Sequence, residues 1–531
     1  MTVEAPERRS APPTGSERVT TEALAELARR VHTSGEREGL EVERPADGEL
    51  LGSVPRCTAE DVEAAVDHAR ATQESWAKTS FEERERILLR FHDIVLERRD
   101  ELLDLLQLES GKARRHAFEE FMDIAMVARY YARTAERHLR TERRRGAFPL
   151  LTAAWEYHHP VGVVGIITPW NYPITLSISD AVPALAAGNA VVVKADTQTP
   201  FAALWGAARL EEAGLPRDLI QIVTGSGSEL GPELIGRVNY IMFTGSTGVG
   251  RTVASQAAER LIPASMELGG KNAMLVLEDA DLDRAVEGAE RALFSNSGQL
   301  CISIERLLVD ESVADEFTRR LVERTRGMKL GSHMSFEDDM GSLISQDQLD
   351  TVREHLDDAV GKGAKVLVGG NPRPDLGPYF HEPTLLAEVN EDMDLYAEET
   401  FGPVAAISRF TSEDDAVAHA NASSYGLNFS IWTRDLERGR RLATRLEAGT
   451  VNVNEAFIAA WGSVDAPMGG MKDSGLGRRH GAEGIRKYTE SQTVAVQRVM
   501  SISPPSPIGQ GLWTRLITAG LRLLRRTPGI R

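Results

Sequence analysis

Cysteine is scarce in this sequence: Cys57 and Cys301 are the only two in 531 residues, and they lie far apart. This usage argues against a disulfide framework and is typical of a reducing compartment, so we expect a cytoplasmic protein. The first ten residues carry Glu4 and Glu7 and have no apolar core. No secretory signal peptide is therefore predicted.

Long hydrophobic runs are missing as well. The best of them, residues 181–193, is interrupted by Pro183, Gly188 and Asn189. It falls short of the roughly 20 apolar residues that cross a bilayer, so no integral membrane segment is predicted. A positive excess is also absent, because the formal net charge is −18. This balance argues against a nucleic-acid partner.

Periodic apolar residues indicate how the chain is organised. Residues 58–140 have helical spacing, with Thr58 and Ser80 as expected N-caps, and are most simply scaffold. From residue 161 onwards, short apolar runs alternate with helical segments, a pattern typical of parallel doubly wound sheets. The expected strands are 161–168, 190–193, 219–223 and 240–243 in one lobe, and 274–277, 307–309, 365–368, 404–407, 430–432 and 450–453 in another. We therefore predict an α/β fold of two lobes with a cleft between them.

Two segments that end predicted strands carry polar groups. Asn171 lies between Pro169 and Pro173, which fix the backbone, so its side-chain amide is suited to holding an oxyanion. Lys194 follows another strand, where ligands of doubly wound sheets bind, and could hold a ribose or a phosphate. Alone, each segment is equally compatible with an ordinary turn or surface loop.

Three further segments are ambiguous when taken singly. Gly245, with the glycines three and five residues later, could admit an anion at a helix N-terminus, although the spacing is not G-x-G-x-x-G. Glu267 stands in a glycine-rich, apolar setting that would raise its pKa and suit a general base, or it is a structural carboxylate. Cys301 follows a turn at Gly298 that could present its sulfur to a cleft, although most isolated cysteines are inert.

Together these groups make one constellation. A thiol, a carboxylate, an oxyanion donor and a nucleotide cradle are what oxidation of an aldehyde through a thioester requires. In this combination the chain resembles the aldehyde dehydrogenase superfamily over about residues 50–495. The motifs that carry the resemblance are Pro169-Trp-Asn-Tyr-Pro173, Phe243-Thr-Gly-Ser246, Glu267-Leu-Gly-Gly270, Gly298-Gln-Leu-Cys301, Glu399-Thr-Phe-Gly-Pro403 and Met468-Gly-Gly-Met-Lys-Asp-Ser-Gly475. Residues 294–306, 340–344 and 477–481 are most similar to the bacterial NADP-type succinate-semialdehyde dehydrogenases.

The resemblance implies a mechanism without a metal. Cys301 would attack the aldehyde carbon, and the Asn171 amide with the Cys301 backbone N–H would hold the oxyanion. Hydride would pass to the nicotinamide and leave a thioester. Glu267 would then activate water, so that the product is the free acid rather than an acyl-coenzyme A.

The resemblance also implies the cofactor site. Its residues would be Trp170, Asn171, Lys194, Ala195, Asp196, Thr197, Gly245, Ser246, Leu268, Glu399 and Phe401. Thr197 stands where NAD-preferring members often place a glutamate on the ribose 2′-hydroxyl. A threonine does not repel a 2′-phosphate, so NADP is favoured, while Asp196 next to it keeps NAD possible.

Other positions depart from the pattern. Some succinate-semialdehyde dehydrogenases hold the substrate carboxylate with two arginines, and this sequence has Ser179 and Ser295 there. Ser295, Ser463 or another arginine would have to serve, or the substrate is a neutral aliphatic or aromatic aldehyde. Arg479 replaces a glutamate common in the family. A different class, a thiol hydrolase or acyl-transferase without redox chemistry, would leave Gly245, Ser246 and Glu399 unexplained.

The resemblance divides the chain into several parts. Residues 1–20 would be a disordered tail, 21–146 with 160–266 the NAD(P)-binding domain, and 267–478 the catalytic domain. Residues 147–159 with 487–499 would form a small β ribbon for oligomerisation, whose exposed edge favours a homodimer or homotetramer. Residues 500–531 would be an extension with a basic amphipathic helix. This helix could touch a membrane surface, although packing on its own body or a neighbouring subunit is favoured.

Overall fold

The computed structural model describes residues 16–146, 152–497 and 503–526. The α-helices are α1 Thr21–Ala28, α2 Ala59–Trp76, α3 Phe81–Glu97, α4 Arg99–Ser110, α5 Arg114–Leu139, α6 Asp180–Ala186, α7 Pro200–Glu212, α8 Gly227–Ile235, α9 Thr247–Glu259, α10 Leu282–Phe294, α11 Glu311–Arg326, α12 Gln346–Gly361, α13 Asp394–Ala397, α14 Glu413–Asn421, α15 Leu436–Ala443, α16 Ile458–Trp461, α17 Gly481–Arg486 and α18 Gln510–Arg526. A π-helical turn, Thr175–Ser179, precedes α6, and a 3₁₀ turn, Ser295–Gly298, follows α10.

The strands are β1 Gly39–Arg44, β2 Glu49–Pro55, β3 Glu142–Arg145, β4 Thr152–Pro160, β5 Val163–Ile167, β6 Ala190–Ala195, β7 Ile220–Thr224, β8 Tyr240–Thr244, β9 Ala264–Glu267, β10 Asn272–Val276, β11 Ile304–Asp310, β12 Lys365–Val368, β13 Thr384–Ala387, β14 Val404–Phe410, β15 Tyr425–Gly426, β16 Asn428–Trp432, β17 Thr450–Val453, β18 Met471–Lys472, β19 Gly475–Leu476 and β20 Thr489–Gln497. The predicted α/β fold with two lobes is confirmed.

The first lobe contains a six-stranded sheet in the order β19-β9-β8-β5-β6-β7. The sheet is parallel except for the β19–β9 pair. Strands β5 to β8 are buried along their whole length, because helices cover both faces of the parallel part. The strand order reverses at β5, whose neighbours are β6 and β8. Ligands of open α/β sheets bind at the carboxyl ends of the strands at such a switch point.

The second lobe contains a seven-stranded sheet in the order β12-β13-β14-β11-β10-β16-β17, parallel except for the β12–β13 pair. Only residues 268–271 separate β9 of the first sheet from β10 of the second. The predicted cysteine loop comes immediately before β11. The loops at the carboxyl edge of the six-stranded sheet therefore lie near the cysteine loop, which leads into β11 of the seven-stranded sheet.

The predicted strands are all present, but β1, β2, β3, β9, β13, β15, β18 and β19 were not predicted. β9 has the sequence Ala-Ser-Met-Glu and lacks an apolar run, and β13 is only four residues long. β3 consists of one glutamate and three arginines, so its composition gives no strand signal. Its pairing with β4 places residues 142–145 beside the ribbon, whereas the sequence assigned them to the cofactor lobe.

The ribbon pairs β4 with β20 in antiparallel register from Thr152 opposite Gln497 to Pro160 opposite Thr489. The ends of the two predicted ribbon segments, residues 147–151 and 498–499, lie outside the described residues. Residues 1–15 of the predicted tail also lie outside them. The tail prediction of 1–20 is too long, because Ser16 and Arg18 bind Asp104 of α4 at 2.6 and 3.0 Å.

Two smaller predictions concern the helices. Thr58 and Ser80 cap α2 and α3 as expected: Thr58 forms a capping box with Asp61, and the Ser80 hydroxyl accepts from the Glu83 backbone N–H at 3.2 Å. α18 also forms as predicted, after Pro507. Among the described residues, no helix combines the length and apolar character needed to cross a membrane.

Candidate active site

The turn before Cys301 has an unusual backbone. Asn296, Ser297 and Gly298 all have positive φ, at 51°, 58° and 74°. A Cβ at Gly298 would lie 2.0 Å from the Gly402 backbone oxygen, so only glycine fits this turn. The predicted tight turn is confirmed, and it places Cys301 at the point where the chain enters β11.

Hydrogen bonds hold this turn in place. The Asn296 side chain donates to the backbone oxygens of Asn171 and Gln299, both at 3.0 Å. The Gln299 side chain donates to the Asn296 oxygen and accepts from the Ile344 N–H, also at 3.0 Å. The Asn272 side chain supports the Cys301 oxygen at 2.7 Å. Cys301 is therefore presented by a rigid loop.

Cys301 and Asn171 each line two cavities, which are therefore adjacent at these two residues. The first, here called the inner cavity, is lined by Glu119, Asn171, Tyr172, Thr175, Leu176, Leu300, Cys301, Ile302, Phe457, Trp461, Met468 and Arg479. The second, here called the nucleotide cavity, is lined by Pro169, Trp170, Asn171, Thr244, Gly245, Ser246, Leu268, Gly269, Cys301, Gln348, Glu399 and Phe401. A thiol on a shared wall can react with a molecule from one side while a second molecule occupies the other.

The Cys301 thiol is neutral at rest. Burial, together with Glu399 and Glu267, raises the pKa of this thiol to about 12, although Arg479 acts in the opposite direction. A thiolate is the nucleophilic form of cysteine. Attack on an aldehyde must therefore be coupled to removal of the thiol proton.

Asn171 keeps a donor available beside the sulfur. Its side-chain nitrogen donates to the Gln299 oxygen at 3.0 Å, which fixes the amide plane. Because an amide nitrogen carries two hydrogens, one N–H remains. The Asn171 backbone oxygen is held by Lys112 Nζ at 2.7 Å. The predicted oxyanion donor thus keeps one N–H available on a supported turn.

Glu267 ends β9 and is buried, but it lines neither cavity. Its Oε1 has no hydrogen-bond partner and lies 3.3 Å from the position of a Cβ at Gly469. Burial raises the pKa of this carboxyl, against the opposing charges of Arg479 and Lys487. The expected raised pKa is present, whereas contact with the Cys301 cavities would require a turn of the side chain.

Arg479 brings a positive charge to the inner cavity. Its Nη2 donates to Asp180 Oδ1 at 2.7 Å, and the side chain is buried. Its Nε has no hydrogen-bond partner. The buried Asp123 carboxyl lies close to Arg479 and to the Thr175 and Ser179 hydroxyls, and none of these three side chains is fully paired. Because buried polar groups are normally paired, these orphaned atoms mark a place for water or a polar ligand.

Glu119 lies on the inner cavity as well as on a polar cavity beyond it that contains Arg291 and Ser295. The Glu119 carboxylate accepts a hydrogen bond from the Tyr172 hydroxyl at 2.6 Å and another from the Ser295 hydroxyl at 3.3 Å. Burial raises the pKa of this carboxyl to about 7, against hydrogen bonding by Tyr172. The Ser463 hydroxyl, another expected candidate, donates to the Ala459 oxygen and lines neither cavity.

The sequence did not single out Lys112, Glu119 or Glu120, because α5 was expected to be scaffold. Lys112 and Glu120 form a fully buried ion pair at 2.5 Å. The Glu120 carboxylate also accepts from the Ile174 N–H at 3.1 Å, behind the Asn171 turn. A usable signal existed: Glu120 shares the helical face of the buried residues Ala117, Ile124 and Ala128.

The nucleotide cavity, of about 250 Å³, brings together most of the predicted cofactor residues. Trp170 and Phe401 meet edge to face, with ring centroids 5.5 Å apart. Glu399 accepts from the Gly270 N–H at 2.8 Å. The buried Glu305, paired with Lys271, accepts from the Phe401 N–H at 3.0 Å and so fixes this wall.

The floor of the nucleotide cavity fits a dinucleotide phosphate. Gly245 and Ser246 lie between β8 and α9, with Ser246 as the N-cap of the helix. A Cβ at Gly250 would lie 2.4 Å from Leu268, so glycine allows the helix to approach this wall closely. The free N–H groups of a helix N-terminus favour an anion such as a pyrophosphate.

Lys194, Ala195, Asp196 and Thr197 lie at the end of β6, outside the walls of that cavity. The Lys194 ammonium is buried and lies 3.6 Å from the position of a Cβ at Gly227, the first residue of α8. Ser226 and Ser228, whose hydroxyls are 2.8 Å apart, flank this glycine. This corner was not identified from the sequence, although the Gly-Ser-Gly-Ser sequence at the start of α8 could have indicated an anion site.

Known proteins with this sequence pattern share both family and fold. The profile of the aldehyde dehydrogenase family matches residues 31–494. A Mycolicibacterium smegmatis protein named "Putative succinate-semialdehyde dehydrogenase (NADP(+))" is 52% identical over 493 residues, which are 93% of this chain and 95% of that protein. An E. coli NADP dependent enzyme has a TM-score of 0.84 at 36% identity, over 89% of this chain and 99% of that one. Betaine aldehyde dehydrogenase from Staphylococcus aureus, in complex with NAD⁺, has a TM-score of 0.85 at 32% identity, over 91% and 97%.

Proposed function

The chain belongs to the aldehyde dehydrogenase family, and on that basis we propose that it oxidises succinate semialdehyde to succinate with NADP⁺ as the hydride acceptor. The observation that carries this proposal is the position of Cys301, on the wall shared by the inner and nucleotide cavities. A thiol in this position is adjacent both to an aldehyde in the inner cavity and to a cofactor in the nucleotide cavity. The name of the Mycolicibacterium smegmatis relative supports the substrate and the cofactor.

In the proposed reaction, the Cys301 thiol passes its proton to solvent water as the sulfur adds to the aldehyde carbon. The Asn171 amide and the Cys301 backbone N–H stabilise the resulting oxyanion. The nicotinamide, when bound, supplies the acceptor for hydride. Glu267 turns toward the resulting thioester and takes a proton from the water that hydrolyses it, because its raised pKa suits a general base near neutral pH.

The cofactor preference rests on the end of β6. Thr197 offers no carboxylate to repel a 2′-phosphate, and the buried Lys194 ammonium faces the start of α8. Asp196 accepts from the Gln198 N–H at 2.9 Å, so its carboxylate is engaged within its own loop. These contacts favour NADP⁺, although the same fold binds NAD⁺ in the Staphylococcus aureus enzyme.

Arg479 is our candidate for the group that holds the substrate carboxylate. Of the residues that the structure describes, it is the only lysine or arginine lining the inner cavity. Asp180 fixes one edge of its guanidinium, and the unpartnered Nε can donate to an anion. This assignment would replace the two arginines expected where Ser179 and Ser295 stand.

Neutral aldehydes are a second candidate class of substrate. The lining supports them, since half of the inner cavity wall is apolar: Leu176, Leu300, Ile302, Phe457, Trp461 and Met468. We also propose that the β4–β20 ribbon joins subunits into a dimer or tetramer through its open edge, where β20 is exposed along most of its length. The free thiols Cys57 and Cys301 support a reducing, cytoplasmic environment.

The test is NADPH formation by the purified chain with succinate semialdehyde and with butanal, which has the same carbon chain and no carboxylate. We expect a higher kcat/KM for succinate semialdehyde, and for NADP⁺ over NAD⁺. Equal or better turnover of butanal would replace the first substrate with the second class. Reduction of neither cofactor by any aldehyde would refute the enzymatic proposal altogether.

A further inference from the structure

The C-terminal helix α18, Gln510–Arg526, lies beyond residue 494, where the match to the aldehyde dehydrogenase family ends. The segment around Pro504, Pro505 and Pro507 separates it from the ribbon. The family's chemistry therefore gives no reason for this helix, and its surface must be explained separately.

Charge and apolar residues are segregated around α18. Its four arginines, Arg515, Arg522, Arg525 and Arg526, share one side with Thr514 and Thr518 when placed on a helix with 3.6 residues per turn. The large apolar residues occupy the remaining arc: Leu512, Trp513, Leu516, Ile517, Leu521, Leu523 and Leu524. A low overall hydrophobicity with such strict segregation is typical of helices that lie in a membrane interface.

The apolar arc is covered only in part. Trp513 is buried, so one line along the arc packs against the protein. Leu512, Leu516 and Leu521 are exposed by 56%, 51% and 54% of their surface. These leucines lie on both sides of Trp513 around the helix, between it and the arginine side. The exposed surface of α18 thus presents apolar and cationic side chains next to each other.

The charge of this region is opposite to that of the rest of the chain. From Ser491 to Arg531 the sequence has six arginines and no aspartate, glutamate or lysine. Since the whole chain has a net charge of −18, the residues before Ser491 carry −24. The catalytic body would be repelled by an anionic surface, whereas this segment would be attracted to it.

We propose that α18 binds the enzyme to an anionic phospholipid surface as a peripheral anchor. The exposed leucines enter the outer part of the acyl region, and the arginines bind lipid phosphates. A second copy of the chain could supply carboxylates to the arginines. A bilayer is favoured because it provides anionic groups and hydrocarbon in adjacent layers, as the adjacent arginines and leucines require.

The experiment is co-flotation of the full chain with vesicles of phosphatidylglycerol and phosphatidylethanolamine, and with vesicles of phosphatidylcholine alone. We expect binding to the anionic vesicles, weaker binding to the neutral ones, and release at high salt. Leu516→Asp should reduce the bound fraction about tenfold or more, because it places a charge on the apolar side. Thr518→Asp, which adds the same charge on the arginine side, should reduce it only a few-fold.

Removal of residues 500–531 should abolish flotation while leaving aldehyde oxidation unchanged, which shows that the remaining chain is folded. Three results would overturn the proposal: no flotation of the full chain, equal flotation of the truncated chain, or equal binding to neutral and anionic vesicles. Loss of oligomer mass on truncation, without vesicle binding by the full chain, would assign the helix to a second copy instead. None of these outcomes depends on which aldehyde is oxidised.

Discussion

The two cavities that meet at Cys301 are built in different ways. Most walls of the nucleotide cavity come from short segments that directly follow β5, β8 and β9, and much of its chemistry lies in the backbone. The inner cavity combines Glu119 of α5 with Arg479, 360 positions further along the chain. Cofactor binding is therefore encoded locally, whereas substrate selection depends on side chains that only the folded structure brings together.

Replacing Cys301 would disable the residue that both cavities share. We expect Cys301→Ser to lower kcat/KM by about 10³-fold or more, because a hydroxyl is a far weaker nucleophile than a thiolate. NADP⁺ binding, followed by protein fluorescence, should persist, since the nucleotide walls are intact. Cys57→Ser is the matched control: Cys57 is buried in the first lobe, and its loss should leave turnover within a few-fold. A Cys301→Ser enzyme with near-normal turnover would contradict the shared-wall assignment.

Replacing Arg479 tests its assignment as the ligand of the substrate carboxylate. Arg479→Gln should lower the preference for succinate semialdehyde over butanal by about 10- to 100-fold, as expected for loss of a charge-assisted hydrogen bond of about 1.5–3 kcal/mol. The ratio is informative because any effect on Glu267 would slow both aldehydes equally. Arg440→Gln, at an exposed position of α15, is the control and should change neither rate. An unchanged ratio would exclude Arg479 as the carboxylate ligand without affecting the proposed oxidation.

Replacing Thr197 tests the cofactor side. Thr197→Glu should lower kcat/KM for NADP⁺ about tenfold, because the new carboxylate would repel the 2′-phosphate. The value for NAD⁺ should change little. Thr197→Gln adds a side chain of the same size without charge and should leave the cofactor ratio near that of the natural chain. A similar loss in both variants would indicate a steric rather than an electrostatic effect.

The contrast between the cavities explains what the sequence could predict. Gly298, Gly245 and the Pro169–Pro173 turn are local requirements, because their conformations depend on a few neighbouring residues. The lobes and these turns were predictable for this reason, whereas the nucleotide residues were expected only from the resemblance to the aldehyde dehydrogenases. β9 and β13 were not, since their pairing depends on adjacent strands that are distant in sequence rather than on an apolar run.

The inner cavity was hidden from the sequence for a related physical reason. Arg479 was recognised as a departure from the family pattern, but its contact with Asp180 could not be foreseen. Glu119 lies on α5, which resembled scaffold in the sequence. Its carboxyl belongs to the inner cavity because the fold brings Tyr172 and Ser295, which both donate hydrogen bonds to it, against this helix. Such side chains acquire their role from packing between distant segments.

The smallest expected effect concerns Glu119 and pH. Burial raises the pKa of this carboxyl to about 7, so it is mostly neutral below that pH and ionised above it. An ionised Glu119 repels a substrate carboxylate, and the KM for succinate semialdehyde should therefore rise a few-fold between about pH 6 and 8. The KM for butanal should stay level. Glu119→Gln cannot ionise and should remove the rise, because the amide keeps the shape and the hydrogen-bonding capacity of the acid. If the rise in KM persisted in this variant, the titrating group would lie elsewhere, and the charge of Glu119 would not affect binding of the substrate carboxylate.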